Sequence, residues 1–252
     1  MAAAFEPDAA VRLSGRVALV TGAGHRVGRA LAVALGAREM RVAVHYRGEA
    51  DGARETARLI GESGGEAELF RSDLGASGAP ARLVADVTAH FGGLDVLVNS
   101  AAVMERTPVG EVTEEAWDAM FALNLRAPFF ATQAAAAVMR DGGAVVNIAD
   151  LAAFETWPAY VPHGITKAGV VQMTRALARA LAPRVRVNAI APGAVLLPEG
   201  WTDRDAERLT STTPLGRLGS PDDVVGAMLY LLSADYVTGE TIIVDGGRHV
   251  RI

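Results

Sequence analysis

The sequence predicts an α/β protein built on one doubly wound parallel sheet of about seven strands, with helices on both faces. Three observations lead to this prediction. Short, almost wholly apolar runs such as Val17–Val20 are typical of strands buried on both faces of a parallel sheet. Segments with apolar residues at helical spacing alternate with these runs along the chain. Half of the 252 residues are hydrophobic, which is enough for one large core.

Residues 1–12 show no periodicity, and we expect them to form a flexible N-terminal arm. No repeat and no linker follow, so residues 13–252 are predicted to form a single domain. Its first strand is the run Val17–Val20.

A glycine-rich turn, TGAGHRVG at residues 21–28, follows this first strand. Apolar residues at helical spacing predict a helix that begins near His25 or Arg26. Its unpaired amides and positive dipole end favour an anion, and the glycines leave room for a pyrophosphate against the backbone. A merely structural turn is the alternative, but the strands on either side complete a Rossmann-type unit of about thirty residues. The predicted cofactor contacts from this loop are Gly22, Gly24, His25, Arg26 and Val27.

The end of the second predicted strand, Arg41–Tyr46, distinguishes between two dinucleotides. An acid there would accept from a free ribose 2′-hydroxyl, whereas cations would meet a 2′-phosphate. Here the tip reads His45-Tyr46-Arg47, and Arg26 in the glycine loop adds a cation. These residues are predicted cofactor contacts and favour NADPH over NADH. The alternative for Arg47 is a solvated surface arginine.

The remaining elements alternate in the same way, and the Ser220–Asp223 segment, SPDD, predicts a capped helix start. Residues 200–217 are predicted to be irregular. The predicted helices cover residues 49–62, 77–91, 113–139, 159–181 and 220–232. The further predicted strands cover residues 66–71, 94–98, 144–148, 185–190 and 241–244.

In a sheet of this type the carboxyl ends of the strands line the cofactor groove. Asp73 could accept from an adenine amino group or could cap a helix. Small residues after the fourth strand allow a flat ring to approach the backbone, and Asn99 is expected to tie this edge of the sheet together. The predicted cofactor contacts from these tips are Asp73, Leu74, Asn99, Ser100, Ala101, Pro192 and Gly193.

Composition excludes several function classes. The net charge is −5 without a basic block, so nucleic acid is not expected as a partner. The absence of cysteine excludes disulfides and thiol nucleophiles, and the five histidines lack metal-binding spacing, so no metal site is predicted. No long uncharged apolar run or basic leader is present, so we expect a cytoplasmic protein that binds a small-molecule substrate and no membrane.

Lys167 is the only lysine among 24 basic residues, which suggests a position that needs a compact ammonium group. His163 lies four residues earlier and therefore on the same helix face, and Asp150 lies just past the fifth strand. All three are expected at the nicotinamide end of the groove, where a hydride acceptor needs a proton donor. Asn124, on an otherwise apolar helix, needs a partner and is the fourth candidate catalytic residue.

With these motifs the chain resembles the short-chain dehydrogenase/reductase family along essentially its whole length. The matching segments are TGAGHRVG, the NSAA tip, Asn124, Asp150, HGITK, NAIAPGAV and VDGG. Within the family it looks most like the pteridine reductases. The features that carry this resemblance are Arg26 in place of a glycine, HYR after the second strand, Asp150 in place of a serine, and APGAVLLPEG.

The resemblance implies that NADPH transfers hydride to a ring or carbonyl while a tyrosine, helped by a lysine, supplies the proton. His163 occupies the position of that tyrosine, since Lys167 and Asp150 keep the expected spacing. Tyr160 is not a shifted substitute, because Gly164 rather than a lysine follows four residues later. Imidazole reaches about 2 Å less far than a phenol, so direct donation by His163 is questionable.

Three candidate substrate contacts lie near this region: Met104, Trp157 and Tyr160. Met104 stands where pterin-reducing relatives place an aromatic residue, and methionine stacks less firmly on a ring. The long apolar helices exceed what one sheet face should cover, so a homo-oligomer is expected, with a tetramer implied by the family.

Three hypotheses stay open. In the first, the chain is an NADPH-dependent reductase in which Lys167 holds the ribose and either His163, directly or through water, or Asp150 protonates the substrate. In the second, it binds NADPH without effective turnover, as a sensor or partner subunit. In the third, it reduces an unrelated carbonyl compound with a water in the tyrosine's place. The alternatives for single residues are an inert surface position for His163, a turn cap for Asp150 and a buried structural bridge for Asn124.

Overall fold

The computed structural model describes residues 13–197, 200 and 202–250. The predicted arm at residues 1–12 lies outside the described residues and stays a prediction. The described residues contain one parallel sheet in the order β3-β2-β1-β4-β5-β6-β7. Its strands are β1 Val17–Val20, β2 Arg41–Tyr46, β3 Glu66–Arg71, β4 Val96–Asn99, β5 Gly143–Ile148, β6 Val185–Pro192 and β7 Thr241–Val244.

Eight α-helices connect or follow these strands in the described part of the chain. They are α1 Arg26–Gly36, α2 Asp51–Glu62, α3 Ala79–Phe91, α4 Glu114–Phe121, α5 Ala127–Val138, α6 Val161–Leu181, α7 Asp203–Ser211 and α8 Pro221–Ser233.

The two faces of the sheet bury two separate apolar cores. Alternate residues of β1 point to opposite faces: Ala18 and Val20 pack with α1, α2 and α8, while Val17 and Leu19 pack with α3, α5 and α6. The chain therefore forms the single doubly wound α/β domain that its apolar runs predict, with helices on both sides of a parallel sheet.

The prediction that residues 200–217 are irregular is wrong, because α7 lies inside them. Thr202 and Asp205 form a capping box at its start, and Leu209 is buried on its inner face. The sequence TDRD at residues 202–205 contains both residues of this capping box, so the start of α7 was recognisable from the sequence. Other differences are limited to one to three residues at the ends of elements: α3 starts at Ala79, and β4 spans Val96–Asn99.

The long helical stretch predicted after β4 is confirmed, but a π-helical segment, Ala122–Arg126, separates α4 from α5. Asn124 lies within this segment and is buried. A wider turn of this kind changes the direction of the side chains in it and is frequent at functional sites. It aims Asn124 at the backbone that follows β4.

A buried polar network joins the tips of β4 and β5 to two helices. Asn99 and Asn147 are register partners on adjacent strands, and Asn99 Nδ2 donates to Asn147 Oδ1 at 2.9 Å. Asn99 Nδ2 also donates to Thr132 Oγ1 at 3.2 Å, and Asn147 Nδ2 donates to Thr174 Oγ1 at 2.9 Å. The expectation that Asn99 ties this edge together is confirmed.

His45 holds the glycine turn against the end of β2. Its ring is buried; Gly22 N–H donates to Nδ1 at 3.0 Å, and Nε2 lies 3.0 Å from the carbonyl oxygen of Ser72. The accepting Nδ1 and the carbonyl together require a neutral ring with its proton on Nε2. Burial lowers the pKa of His45, in part opposed by the contact with Ser72. His45 is therefore not a cation at the strand tip.

We predict that replacing Asn147 with alanine lowers the free energy of unfolding by about 2 kcal/mol, because two buried hydrogen bonds are lost. Urea denaturation followed by circular dichroism measures the change. Gln133→Ala, an exposed substitution on α5, is the matched control and should leave stability nearly unchanged. Equal effects of the two substitutions would contradict the role of the network.

We also predict that acid destabilises the protein through His45. Its pKa is lower in the folded than in the unfolded chain, so unfolding takes up a proton once the pH falls below about 6.5. The stability that this ring contributes is therefore complete above that pH and is lost as the pH decreases, by up to about 1.4 kcal/mol per pH unit. Denaturation at pH 7.5 and 5.5 should show a smaller loss on acidification in His45→Gln than in the wild type; identical losses would refute the prediction.

Candidate active site

A cleft of about 1020 Å³ opens at the carboxyl ends of the strands. One wall is the glycine turn between β1 and α1, and the other is the segment that follows β6. This is the edge at which a doubly wound sheet changes the direction of its connections and binds its ligand. The volume is at the upper end of the range for ligand pockets, as a dinucleotide and a second reactant would require.

Close backbone contacts shape the glycine turn. Gly22 has φ +67°, and a Cβ atom there would lie 2.9 Å from Ala101 Cα in the turn after β4. A Cβ on Gly28 would lie 2.3 Å from the Gly22 carbonyl oxygen. Thr21 Oγ1 accepts from the amides of Ser100 and Ala101, at 2.9 and 3.1 Å. The turns after β1 and β4 therefore form one continuous floor.

Arg29, on α1, joins this turn to α2, a role that the sequence did not reveal. Its guanidinium donates to the carbonyl oxygens of Gly24 and Gly52, at 2.6 and 3.2 Å, and to Thr56 Oγ1 at 3.1 Å. It lines the cleft. This role depends on how α2 packs against the turn, and no local sequence pattern predicts that packing.

Arg26 spans the mouth of the cleft. Its φ is +52°, in the left-handed region that favours glycine, and its guanidinium donates to the carbonyl oxygens of Leu196 and Leu197 at 3.1 to 3.2 Å. The cation predicted for a 2′-phosphate is thus bonded to the opposite wall. Arg47, by contrast, is exposed at the end of the cleft beyond β2.

Most of the predicted site residues line this one cleft. The structure brings together Gly22, Gly24, His25, Arg26, Val27, His45, Tyr46, Arg47, Leu74, Ser100, Ala101, Asp150, His163, Lys167, Pro192 and Gly193, with Met104, Trp157 and Tyr160 at the far end.

Three predicted contacts do not line the cleft: Asp73, Asn99 and Asn124. The Asp73 carboxylate accepts from the Gly75 amide at 3.0 Å in the turn after β3. The helix-cap alternative for Asp73 is wrong, because α3 begins at Ala79 and its N-cap residue is Gly78. Asn99 is buried in the network between β4 and β5. Asn124 lies beneath the cleft wall and acts on it through Val103.

Asn124 holds the backbone after β4 in a fixed position. Its Oδ1 accepts from the Val103 amide at 2.9 Å, and its Nδ2 donates to the Val103 carbonyl oxygen at 2.8 Å and to Thr166 Oγ1 at 3.3 Å. The buried structural bridge considered for Asn124 is therefore confirmed.

Lys167 is buried with its ammonium group at the end of β5, where Nζ donates to the Ile148 carbonyl oxygen at 2.9 Å. Burial lowers the pKa of Lys167, and the negative charge of Asp150 partly opposes that shift. The lone lysine of the sequence thus places a desolvated amino group on the wall of the cleft.

His163 and Asp150 face each other beside this lysine. His163 is 2% exposed, so an inert surface position is wrong. Its Nδ1 lies 3.2 Å from the Val103 carbonyl oxygen, and its Nε2 lies 3.5 Å from Asp150 Oδ2. Asp150 also caps the short 3₁₀ turn Leu151–Ala153, since Oδ1 accepts from the Ala152 amide at 2.8 Å.

The far end of the cleft has an aromatic wall. The rings of Trp157 and Tyr160 meet edge to face with centroids 6.2 Å apart, and Trp157 Nε1 donates to Glu155 at 2.8 Å. Arg208 and Leu209 of α7, and Arg248 after β7, also line this end. The sequence did not predict these contacts, because residues 200–217 were expected to be irregular and because the segment after β7 is far along the chain from the other residues of the cleft.

No helix in the described ranges is both long and apolar enough to cross a lipid bilayer. Among the same residues no cluster of three or more histidines or acids is arranged to hold a metal ion.

Comparison with known proteins is consistent with this geometry. A family model described as enoyl-(acyl carrier protein) reductase matches residues 22–249. The chain is 36% identical to 3β-hydroxysteroid dehydrogenase 1 of Eggerthella lenta, over 93% of this chain and 94% of the relative. It is also 36% identical to human dehydrogenase/reductase SDR family member 4, over 95% and 90%.

A solved structure has the same fold: an angucycline C-6 ketoreductase with bound NADP superimposes with a TM-score of 0.89 at 34% identity, covering 95% of this chain and 98% of that one. The family match extends over most of the chain, and the relatives match it nearly end to end. The chain is an oxidoreductase and belongs to the short-chain dehydrogenase/reductase family.

Proposed function

We propose that the protein is an NADPH-dependent reductase that adds hydride to a carbonyl carbon of a small, largely apolar substrate. The observation that carries this proposal is the single cleft in which the glycine turn, the buried Lys167 and the Asp150–His163 pair lie together. The cleft provides a place for a dinucleotide and, next to it, groups that can move a proton.

The residues of the cleft fit a phosphorylated dinucleotide. The first amides of α1 have no partner within the helix and favour a pyrophosphate, to which Gly22 and Gly24 present no side chain. Arg47 is the exposed cation available to a 2′-phosphate. Lys167 would hold the nicotinamide ribose. Reduced nicotinamide supplies a hydride when bound, and the chain supplies orientation and a proton.

A carbonyl substrate has more support than a pteridine ring. The names of two relatives refer to alcohol and ketone chemistry, a hydroxysteroid dehydrogenase and a ketoreductase. The cleft presents Met104 where a pteridine would require an aromatic stacking partner, and its side chain is 41% exposed. Trp157 and Tyr160 provide an apolar wall for a ring compound.

The second candidate function is NADPH binding without effective turnover, as in a sensor or partner subunit. One observation favours it: His163 Nε2 is buried, so this nitrogen cannot give a proton directly to a substrate as a phenol would. Lys167 and the glycine turn would serve binding alone equally well.

Self-association is part of the proposal. Phe129 and Phe130 on α5 and Ile165 on α6 are each between 38% and 45% exposed. A shallow groove lined by α4, the π-helical segment, α5 and α6 includes both phenylalanines. We infer that a second copy of the chain covers these side chains, as an exposed apolar patch on an oxidoreductase of this family would require.

Analytical ultracentrifugation tests this inference. The Phe129→Arg variant should sediment as a smaller species than the wild type, because the substitution would place a charge in the interface.

Titration with NADPH and a turnover assay test the proposed function. We expect NADPH fluorescence to change with saturation below millimolar cofactor, and NADPH to be oxidised with 1-decalone, a bicyclic ketone, but more slowly with 7,8-dihydropterin. Binding without oxidation of NADPH by any ketone would favour the sensor. No binding at millimolar NADPH would overturn both functions.

We predict that Arg47→Ala raises the Kd for NADPH about tenfold and leaves the Kd for NADH within about twofold, because only NADPH carries the 2′-phosphate. Fluorescence titration with both cofactors measures the ratio. Arg54→Ala is the matched control: Arg54 is an exposed arginine on α2 that pairs with Asp51 and does not line the cleft. Equal weakening by the two substitutions would argue against a phosphate contact at Arg47.

A further inference from the structure

One ring nitrogen beside the cleft is left without a hydrogen bond. His163 Nε2 is buried and has no hydrogen-bond partner among the described residues, although Asp150 Oδ2 lies only 3.5 Å away. An unsatisfied buried polar atom costs free energy, and native structures keep few of them. Its position opposite a carboxylate indicates proton exchange rather than packing.

The hydrogen bond on the other side of the ring determines where the protons lie. Nδ1 of His163 faces the carbonyl oxygen of Val103, which can only accept, so Nδ1 carries a proton. Asn124 holds that carbonyl in place through two hydrogen bonds to Val103. In a neutral ring Nε2 then carries a lone pair, which faces a carboxylate oxygen. Two acceptors at this distance repel each other unless one proton lies between them.

Access to the cleft differs sharply between the two partners. His163 Nε2 has essentially no exposed surface, so no substrate atom can contact it. The Asp150 side chain is 24% exposed and lines the cleft at the end of β5. A proton held between them can therefore reach a substrate only through the carboxylate.

Lys167 is the charged group next to this pair. Its ammonium donates to the Ile148 carbonyl oxygen rather than to Asp150, so Oδ2 remains directed at His163. The negative charge of Asp150 partly opposes the lowering of the Lys167 pKa by burial, so the two groups interact without a direct hydrogen bond.

We propose that Asp150 is the catalytic acid that protonates the substrate oxygen, and that His163 is a positioning residue that holds the transferable proton against its carboxylate. This inference rests on the proposed reductase function. As the carbonyl carbon accepts a hydride from reduced nicotinamide, the C=O π bond breaks and its electron pair moves to oxygen. That oxygen takes the shared proton from Asp150 Oδ2, and water restores the proton at the exposed carboxylate.

Single-turnover reduction of 1-decalone by the NADPH-bound protein tests the proposal. We expect a loss of about 100-fold or more for Asp150→Asn and of about tenfold or more for His163→Gln, with the Kd for NADPH unchanged. Added imidazole should restore at least about fivefold of the rate in His163→Ala but none in Asp150→Ala. His90→Gln is the matched control, because His90 also faces a carboxylate, Glu68 at 4.0 Å, but on the surface away from the cleft; its rate should match the wild type.

Nuclear magnetic resonance provides a readout that does not depend on turnover. With ¹⁵N-labelled histidine, the wild-type protein should show a downfield proton resonance from the contact between His163 Nε2 and Asp150, besides the Nδ1 proton held by Val103. Asp150→Asn should abolish the first resonance and keep the second, because no carboxylate remains to share the proton. His90→Gln should change neither.

Several results would overturn the proposal. They are near-normal single-turnover rates in Asp150→Asn with complete loss in His163→Gln, a 100-fold loss in Tyr160→Phe while Asp150→Asn stays active, or a wild-type spectrum without the shared-proton resonance. A wild-type chain that binds NADPH but reduces no ketone would refute the proposed function instead, and the spectra would still decide whether the pair shares a proton.

Discussion

The contact between the turns that follow β1 and β4 is the constraint on which the rest of the site depends. Gly22 approaches Ala101 so closely that no side chain fits between them, and Thr21 accepts from two amides of the second turn. Because β1 and β4 are neighbours in a parallel sheet, both turns lie at the same edge. The segment that would bind the phosphates is thereby joined to the segment that leads to Val103 and the far end of the cleft.

Two residues beyond Ala101, at Val103, a series of hydrogen bonds begins that extends to His163. Asn124 in the π-helical segment fixes the backbone of Val103, and the Val103 carbonyl fixes the proton on His163 Nδ1. The opposite ring nitrogen is consequently directed at Asp150. Rigid supports of this kind matter because proton transfer is sensitive to small changes in distance. Asn124 therefore has a role in the site without lining the cleft.

The imidazole of His163 and the carboxylate of Asp150 together determine where a proton could be held beside the cleft. His163 lines the cleft, but its Nε2 atom is buried and lies 3.5 Å from Asp150 Oδ2. The two side chains come from different elements, the start of α6 and the segment after β5, and only the fold brings them together.

The sequence by itself determined the fold and most of the cleft, because apolar runs and helical periodicity are local patterns and the strand ends of a parallel sheet meet at one edge. It identified Lys167, Asp150 and His163 through spacing and composition. Only the tertiary structure decided that His45 is a neutral buried ring, that Arg26 bonds to the opposite wall, and that Asn99 lies outside the cleft. Burial and hydrogen-bond partners arise from segments far apart in the chain, and no local pattern records which of them will meet.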